Sequence, residues 1–580
     1  MCGALWYVSR GALGAWPLAI GLLPAAGRLV RRQPIWPSTP FDGLLILFLF
    51  TAGVAVWAAY DRPAAWGKFW LIVGATLLFY ALARQPQAQR WRLAGLWALF
   101  GVGVAFYFLL THDWQAIPAK IEAFNRLATR WSAWRPAFTA HDLHPNVAGG
   151  LLALSLPWQM AVIARAWRGR RGWWVGAASV GGMLTLVGLL LTTSRGAWLA
   201  LVAGLAVWVA WAVTAWLRRR GAAWVARAWA ILALLLLAAG GVWLGSAPEQ
   251  AAALADRLPG PASAGSRLDL MRDTWALVKD VPFTGAGLGA FPGWYSHYVR
   301  VIPHFYLIHS HNIGLDIWLE QGPWGAAAWL VLLAGAIWLI LKDGPRLTPN
   351  ALWRGAWLAS MTVLLAHGGV EDALYGSRAA LLLWVLPGMA LSEAGGEAAI
   401  IGRGGHGQAA AWWTAAALGV GFLLLLAATQ HGPAAWWANR GALAMARVEL
   451  ANFPAGLWSD GSEAARLDSA ESLFQHALSL QPDNPTAHYR LGLMAGLRRD
   501  WRSAAAHLAL AYQQAPGRRG LRKSLGYAYA WLGEEEKSAE LLRAIPEASD
   551  ELAIYAWWWP TQGYPELSAP AQAVNRLLNP

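Results

Sequence analysis

Uninterrupted apolar runs of roughly 17 to 25 residues recur from near the N-terminus to about Thr429, each long enough for a helix to cross a bilayer core of about 30 Å. We read about twelve of them, at 11–30, 41–60, 66–83, 93–111, 147–163, 173–191, 197–217 and 228–244, then, after a long loop, at 324–341, 353–366, 379–394 and 409–429. Lipid offers no partner to a backbone N–H or C=O, so segments of this kind must be helices that satisfy their own hydrogen bonds. The predicted fold class is all-α: a polytopic transmembrane helix bundle of about 12 spans, followed by a soluble α-helical domain. Composition agrees, with 57% hydrophobic and only 13% charged residues, far from the balance of an ordinary soluble chain.

The net charge of +14 could suggest nucleic acid, but the basic residues sit in short loops between apolar runs. Arg31 and Arg32, Arg84 with Arg90 and Arg92, the stretch 165–171, the stretch 218–220, and Lys342 with Arg346 fall in alternate loops, as cytoplasmic loops do. Membrane lipids, not nucleic acid, are the expected partners. The intervening stretches 112–146, 192–196, 245–311 and 367–378 are then extracytoplasmic, as is everything after the last span. The same count puts the N-terminus outside, unless a first helix is re-entrant. The single cysteine, Cys2, allows no internal disulfide and reads as an inert thiol, with acylation as the other option.

Beyond Thr429 the apolar runs stop and a 34-residue period begins. Gly492 and Gly526 repeat in step, as do Ala470, Ala504 and Ser538, then Phe474, Leu508 and Leu542, with Pro482 matching Pro516. Small residues where paired helices touch and large ones between them are the tetratricopeptide signature. Residues 1–430 thus read as a transmembrane domain with a large outer loop at 245–323, and residues 431–580 as an extracytoplasmic repeat domain. Its surface could bind a protein partner or act as a rigid spacer.

Polar groups at the outer ends of membrane spans are costly, which makes them the places to look for chemistry. Four clusters stand out. The first is His141-Asp142-Leu143-His144-Pro145-Asn146, where Asn146 reads as a helix N-cap. The second is Thr192-Thr193-Ser194-Arg195-Gly196, whose arginine has no acidic neighbour in sequence and either snorkels to the surface or meets an anion. The third runs from Arg267 through Arg272 and Trp275 into Pro282-Phe-Thr-Gly285-Ala-Gly287-Leu-Gly289-Ala-Phe291. Helical spacing sets Arg267, Met271 and Trp275 on one face, and the glycines let backbone approach backbone; with no preceding strand they do not form a dinucleotide site. The fourth is His309-Ser310-His311-Asn312, followed by Asp316, Glu320 and Gly322. Asn312, Asp316 and Glu320 form a polar stripe, and two histidines one residue apart, without further clear ligands at metal-site spacing, leave a metal as the lesser of two readings.

The order Ser194-Arg195-Gly196, Arg267 before Trp275, Pro282-x-x-Gly285-x-Gly287-x-Gly289-x-Phe291, a tyrosine-bearing stretch, then His311-Asn312 and Glu320-x-Gly322 resembles the O-antigen ligase and polymerase family over roughly 145–394. The resemblance implies a metal-independent glycosyltransferase with no cofactor. It would move a glycan from a polyprenyl-diphosphate carrier to a glycan, lipid or protein acceptor on the outer face of the cytoplasmic membrane. It implies His311 as general base or acceptor-orienting group, and Arg195 and Arg267 against the diphosphate. Arg272, Asn312, His309 and Tyr298 follow as substrate-binding candidates. The repeat domain after an extra last span departs from the simpler ligases and leaves the acceptor open. Two other classes stay in view: a polytopic transporter, for which the spans show no internal duplication, and a non-catalytic scaffold of a polysaccharide-assembly complex.

Overall fold

The computed structural model describes residues 39–136, 143–222, 224–229, 246–257, 264–302, 306–342, 350–376, 378–394, 432–454 and 466–579, with positions 26, 29, 30 and 232 besides. Most of the expected spans 11–30 and 228–244, all of 409–429, and Cys2, His141 and Asp142 lie outside them. Among the described residues there is no strand, as all-α requires.

The membrane part consists of α1 (Asp42–Ala58), α2 (Arg62–Ala83), α3 (Arg90–Thr111), α4 (Glu122–Trp134), α5 (Pro145–Arg168), α6 (Gly172–Leu191) and α7 (Arg195–Arg219). The outer loop supplies α8 (Pro248–Asp256), α9 (Ala264–Asp280) and α10 (Phe291–Tyr295), the last running into a π-helical turn at Ser296–Arg300. Then come α11 (Ile313–Leu341), α12 (Ala351–Gly368) and α13 (Val385–Glu393). Among the described residues six helices are long and apolar enough to cross a membrane, where the sequence reading expects about twelve: α2, α3 with the turn before it, α5, α6, α7 and α11; α1 is apolar but shorter. The expected span 379–394 is not one helix. It folds as a 3-10 turn, Arg378–Leu382, followed by the nine-residue α13. Pro387 explains the break: its ring would clash with the carbonyl of Leu383 in a continuous helix, so the helix starts late enough to hold the proline in its first turn. In the stretch read only as an outer loop, the strongly amphipathic α4 forms, with Trp131 and Trp134 exposed, as suits a helix lying along an interface.

Helix α5 is the most buried of the six, packed between α3, α6, α7 and α12. The basic ends of the helices gather at one end of the bundle, where Arg90 and Arg354 surround the buried carboxylate of Glu393 at 3.5 and 3.1 Å and Arg165 lies over Trp91. The candidate site is at the opposite end, where α5 and α7 begin and α12 finishes.

The C-terminal helices are α14 (Gly432–Glu449), α15 (Asp468–Leu480), α16 (Pro485–Leu497), α17 (Trp501–Gln514), α18 (Arg519–Trp531), α19 (Glu535–Leu542), α20 (Ala548–Thr561) and α21 (Ser568–Leu578). The 34-residue period has a visible cause: Leu508 fills the space beside Gly492, and Leu542 that beside Gly526, so close that a methyl group on either glycine would stand 2.6 to 2.7 Å from the leucine. These helices pack firmly on the outer loop. Leu277, Val278, Phe291, Trp294 and Tyr298 share one apolar core with Leu443, Phe474 and Met494. At its centre Asp280, fully buried, takes hydrogen bonds from Arg490 at 2.8 Å, Arg518 at 2.7 Å and Thr486 at 2.9 Å.

Candidate active site

The start of α5, helix α9 of the outer loop and the loop before α11 converge on a single buried carboxylate, Glu371, three residues beyond the end of α12. Asn146, in the first turn of α5, donates its amide to one oxygen at 2.6 Å, and Arg267 of α9 stands 3.5 Å from the same oxygen. The other oxygen meets His311 Nδ1 at 2.8 Å and His309 Nε2 at 3.4 Å. Burial alone would raise this carboxyl, but the hydrogen bond from His311 and the fixed charge of Arg267 hold it well below the usual carboxylate range. It is an anion at neutral pH. His309, in contrast, is pushed by burial down to about 4, against the pull of Glu371, so it is neutral and its contact with the carboxylate is not an ion pair.

His311 holds a left-handed backbone, φ 59°, an uncommon conformation for a residue with a side chain. Asn312 accounts for part of this. It opens α11 by accepting from the backbone N–H of Leu315 at 3.0 Å and ties that corner to the carbonyl of Gly369 at 3.1 Å, two residues before Glu371. With Nδ1–H directed at the carboxylate, the lone pair of His311 lies on Nε2, the arrangement in which an imidazole serves as a base while a carboxylate fixes its tautomer.

His311 and Arg267 both line a cavity of about 590 Å³ whose wall also carries Lys120, His144, Arg300 and Arg519. Arg195, at the first turn of α7, follows Thr192 and Thr193 of that wall in sequence, is not itself on the wall, and lies 3.8 Å from Asp256. The surrounding protein, then the charges of Arg267 and Arg195, lower the pKa of Lys120, which marks these three cations as near neighbours. A backbone N–H bond from Lys120 to the Thr193 hydroxyl at 3.1 Å holds its loop in place. Like His311, Thr193 has a positive φ, 48°, so two residues of the cavity wall hold strained backbone. A chamber with this many cations suits a polyanion such as a diphosphate.

The glycine-rich turn is a clasp beneath the site. The backbone N–H of Ala286 donates to the Leu319 carbonyl at 2.6 Å and that of Gly287 to Glu320 at 3.2 Å. Gly322, at φ 73° and ψ −175°, breaks α11 opposite this turn, and a methyl group on it would lie 2.7 Å from the carbonyl oxygen of Phe283. Only glycine accepts both that conformation and that proximity. Glu320 pairs with Lys68 at 2.6 Å, and Asp316 accepts from Ser310 N–H at 2.9 Å, so the polar stripe on α11 supports the His309–Asn312 loop.

Of the residues expected from sequence, His311, Arg267, His309 and Asn312 come together here, with Arg195 beside them. Arg272 and Tyr298 are placed elsewhere. Arg272 is half exposed in ion pairs with Glu249 at 2.9 Å and Asp269 at 3.4 Å, on the side of α9 away from Glu371. Tyr298 is fully buried and donates to Glu449 at 2.6 Å in the seam with the C-terminal helices. The expected cap Asn146 is corrected too: His144 caps α5, its ring nitrogen accepting from the N–H of Asn146 at 3.3 Å, which leaves the Asn146 amide for Glu371. Glu371 and Lys120 are absent from the sequence reading; the one hint was an acidic pair, Glu371-Asp372, between two apolar segments.

Donor atoms of His309, His311 and Glu371 lie within 4.8 Å of one another, a spacing a metal ion could use. The carboxylate oxygen facing the two rings has them as its partners, while the other oxygen takes the Asn146 amide and stands 3.5 Å from Arg267, a fixed positive charge close enough to oppose an ion.

Residues 180–330 match the family model of the O-antigen ligases. No curated protein and no solved structure shows significant similarity to the chain. The match takes in Arg195, Arg267, the glycine clasp and His311 and supports a glycosyl-transferring role in polysaccharide assembly for a multi-pass membrane protein.

Proposed function

We propose that this protein is a metal-independent glycosyltransferase that moves a glycan from a polyprenyl diphosphate to an acceptor hydroxyl at the outer face of the cytoplasmic membrane. The observation that carries the proposal is the Glu371–His311 pair opening into a cation-lined chamber at the end of the bundle opposite its basic loops. His311 Nε2 takes the proton of the acceptor hydroxyl as its oxygen bonds to the anomeric carbon. The bond from that carbon to the phosphate oxygen breaks, and the electron pair leaves with the lipid diphosphate. Glu371 keeps the imidazole in the required tautomer and stabilises the imidazolium that forms. Arg267, Arg195 and Lys120 meet the charge on the departing diphosphate, work for which permanently protonated guanidinium groups are suited. His309, neutral and buried, positions Glu371.

Residues 1–430 make up the membrane-embedded transferase in this reading, and residues 431–580 an extracytoplasmic tetratricopeptide domain docked on its outer loop. Glycan, lipid and protein acceptors are all compatible with the chamber. A second reading rests on the His309–His311–Glu371 spacing: a bound divalent ion would neutralise the diphosphate in place of the arginines.

The test is reconstitution in nanodiscs with a polyprenyl-diphosphate-linked oligosaccharide and candidate acceptors, following lipid diphosphate release in EDTA. Release that persists in EDTA and is lost in His311→Gln and Arg267→Met supports the proposal. Release abolished by EDTA and restored by a divalent metal favours the second reading, and release indifferent to both substitutions refutes the assignment.

A further inference from the structure

On the C-terminal helices, across the strap of residues 296–302 from the chamber, lies a second cavity of about 410 Å³. Its wall is aromatic: Trp501, Trp531, Tyr555, Trp558, Trp559 and Tyr564. Their rings form one connected set, with Trp531 edge-on to Tyr555 at 5.3 Å, Tyr555 stacked with Trp559 at 6.0 Å, and Trp559 edge-on to Tyr564 at 6.0 Å. Trp501, Tyr555, Trp558 and Tyr564 are only half buried, so part of this aromatic surface is open to a ligand. Arg499, itself at φ 61°, lies 3.9 Å over the Tyr564 ring, and the exposed Gln562 adds an amide; Glu449 and His297, paired with each other at 3.2 Å, and Ser524 complete the polar part of the lining. One polar group of the wall has no partner: the indole N–H of Trp559, whose residue is 6% exposed, has no acceptor. A buried donor in that condition costs stability until something accepts from it.

We propose that this groove is a saccharide-binding site, holding the part of the glycan remote from the reacting bond. A pyranose presents C–H faces with slight positive charge, which meet the negative faces of aromatic rings, while its ring of hydroxyls needs mixed donors and acceptors at the edge. The groove offers both. Position supports the same occupant. His297 and Val301 line the groove while Arg300, between them, lines the chamber, so a chain of sugars anchored by its diphosphate end needs to cross only this strap to reach the aromatic wall. The strap is held there by Lys523, which donates to the Arg300 carbonyl.

The inference rests on the glycosyl-transfer reading for its physiological ligand, but its test does not. Methyl glycosides and short oligosaccharides of glucose, galactose, mannose, rhamnose and N-acetylglucosamine are presented to the full-length protein in nanodiscs, and binding is read by saturation-transfer NMR. The variants are Trp558→Ala and Tyr564→Ala, whose partly exposed side chains pack at the edge of the aromatic core, with thermal unfolding as the check on folding. Binding by the wild type that falls at least ten-fold in both variants at unchanged unfolding temperature is the expected result. No saccharide bound by the wild type, equal binding by the variants, or binding of a proline-rich decapeptide in place of sugars overturns it. In the release assay, a raised KM for the lipid-linked donor with kcat unchanged in Trp558→Ala ties the groove to transfer. Saccharide binding without any release leaves the groove standing and removes the transferase reading, whereas release with an unchanged KM does the reverse.

Discussion

Replacing Asp280 by Asn tests how the outer loop and the C-terminal helices are joined. Asp280 is the only acidic group among the described residues that pairs with Arg490, whose side chain is wholly buried and whose Nε and one terminal nitrogen have no hydrogen-bond partner. Arg490 otherwise rests its guanidinium on the Tyr298 ring at 3.5 Å. Burial favours the neutral acid, but the charges and hydrogen bonds of Arg518 and Arg490 hold Asp280 below the usual range, so at pH 7 the substitution removes a full negative charge. Breaking a buried ion pair from one side costs about 3–5 kcal/mol, because the remaining charge stays desolvated. For a folding unit of roughly 150 residues that is a fall in Tm of about 10 °C. Differential scanning fluorimetry of the protein in nanodiscs, together with limited proteolysis of the strap 296–302, reads both stability and docking. Adding Arg490→Met to Asp280→Asn recovers part of the loss, since the wholly buried cation is then gone and only Arg518, one-tenth exposed, is left without its carboxylate. An Asp280→Asn protein that unfolds within about 2 °C of the wild type, with the strap still protected, refutes the reasoning.

Two further substitutions have definite signs. Gly322→Ala forces a methyl group against the Phe283 carbonyl in a backbone conformation reserved for glycine and costs about 3 kcal/mol or more, whereas Gly53→Ala, inside α1 where an added methyl group meets nothing within 4 Å, does not lower the unfolding temperature. His309, with a folded pKa of about 4 against about 6.5 when unfolded, takes up its proton more readily in the unfolded chain. Stability is therefore lost as pH falls through this window, by about 2 kcal/mol between pH 7.5 and 5, and His309→Gln flattens that part of the profile. A variant that keeps the wild-type slope contradicts the assignment.

Much of the site was legible from residue order because its parts obey local rules. A glycine succession ahead of a helix, and a second glycine beside a proline, announce close backbone approach, and the structure supplies the two strands of the clasp at Gly285–Gly287 and Glu320–Gly322. The 34-residue period likewise reflects contacts within and between neighbouring helices, Gly492 with Leu508 and Gly526 with Leu542. Glu371 was not legible, because its partners come from α5, α9 and the loop before α11, and no spacing rule links segments that far apart. Helical periodicity put Arg267 and Trp275 on one face of α9 but could not show that Arg272 faces solvent. Asp280 looks like an exposed helix end until Arg490 and Arg518, more than 200 residues away, are seen to enclose it.

The central claim is that Glu371 and His311 act as one catalytic unit, and a double-mutant cycle on glycan transfer tests it most directly. Initial rates are measured in nanodiscs for wild type, Glu371→Gln, His311→Gln and the double variant, at saturating lipid-linked donor. If Glu371 works only through the imidazole, each single substitution lowers kcat by roughly 10²- to 10⁴-fold and the double variant is no slower than His311→Gln alone. Losses that multiply, or a Glu371→Gln enzyme that keeps the wild-type rate, would contradict it.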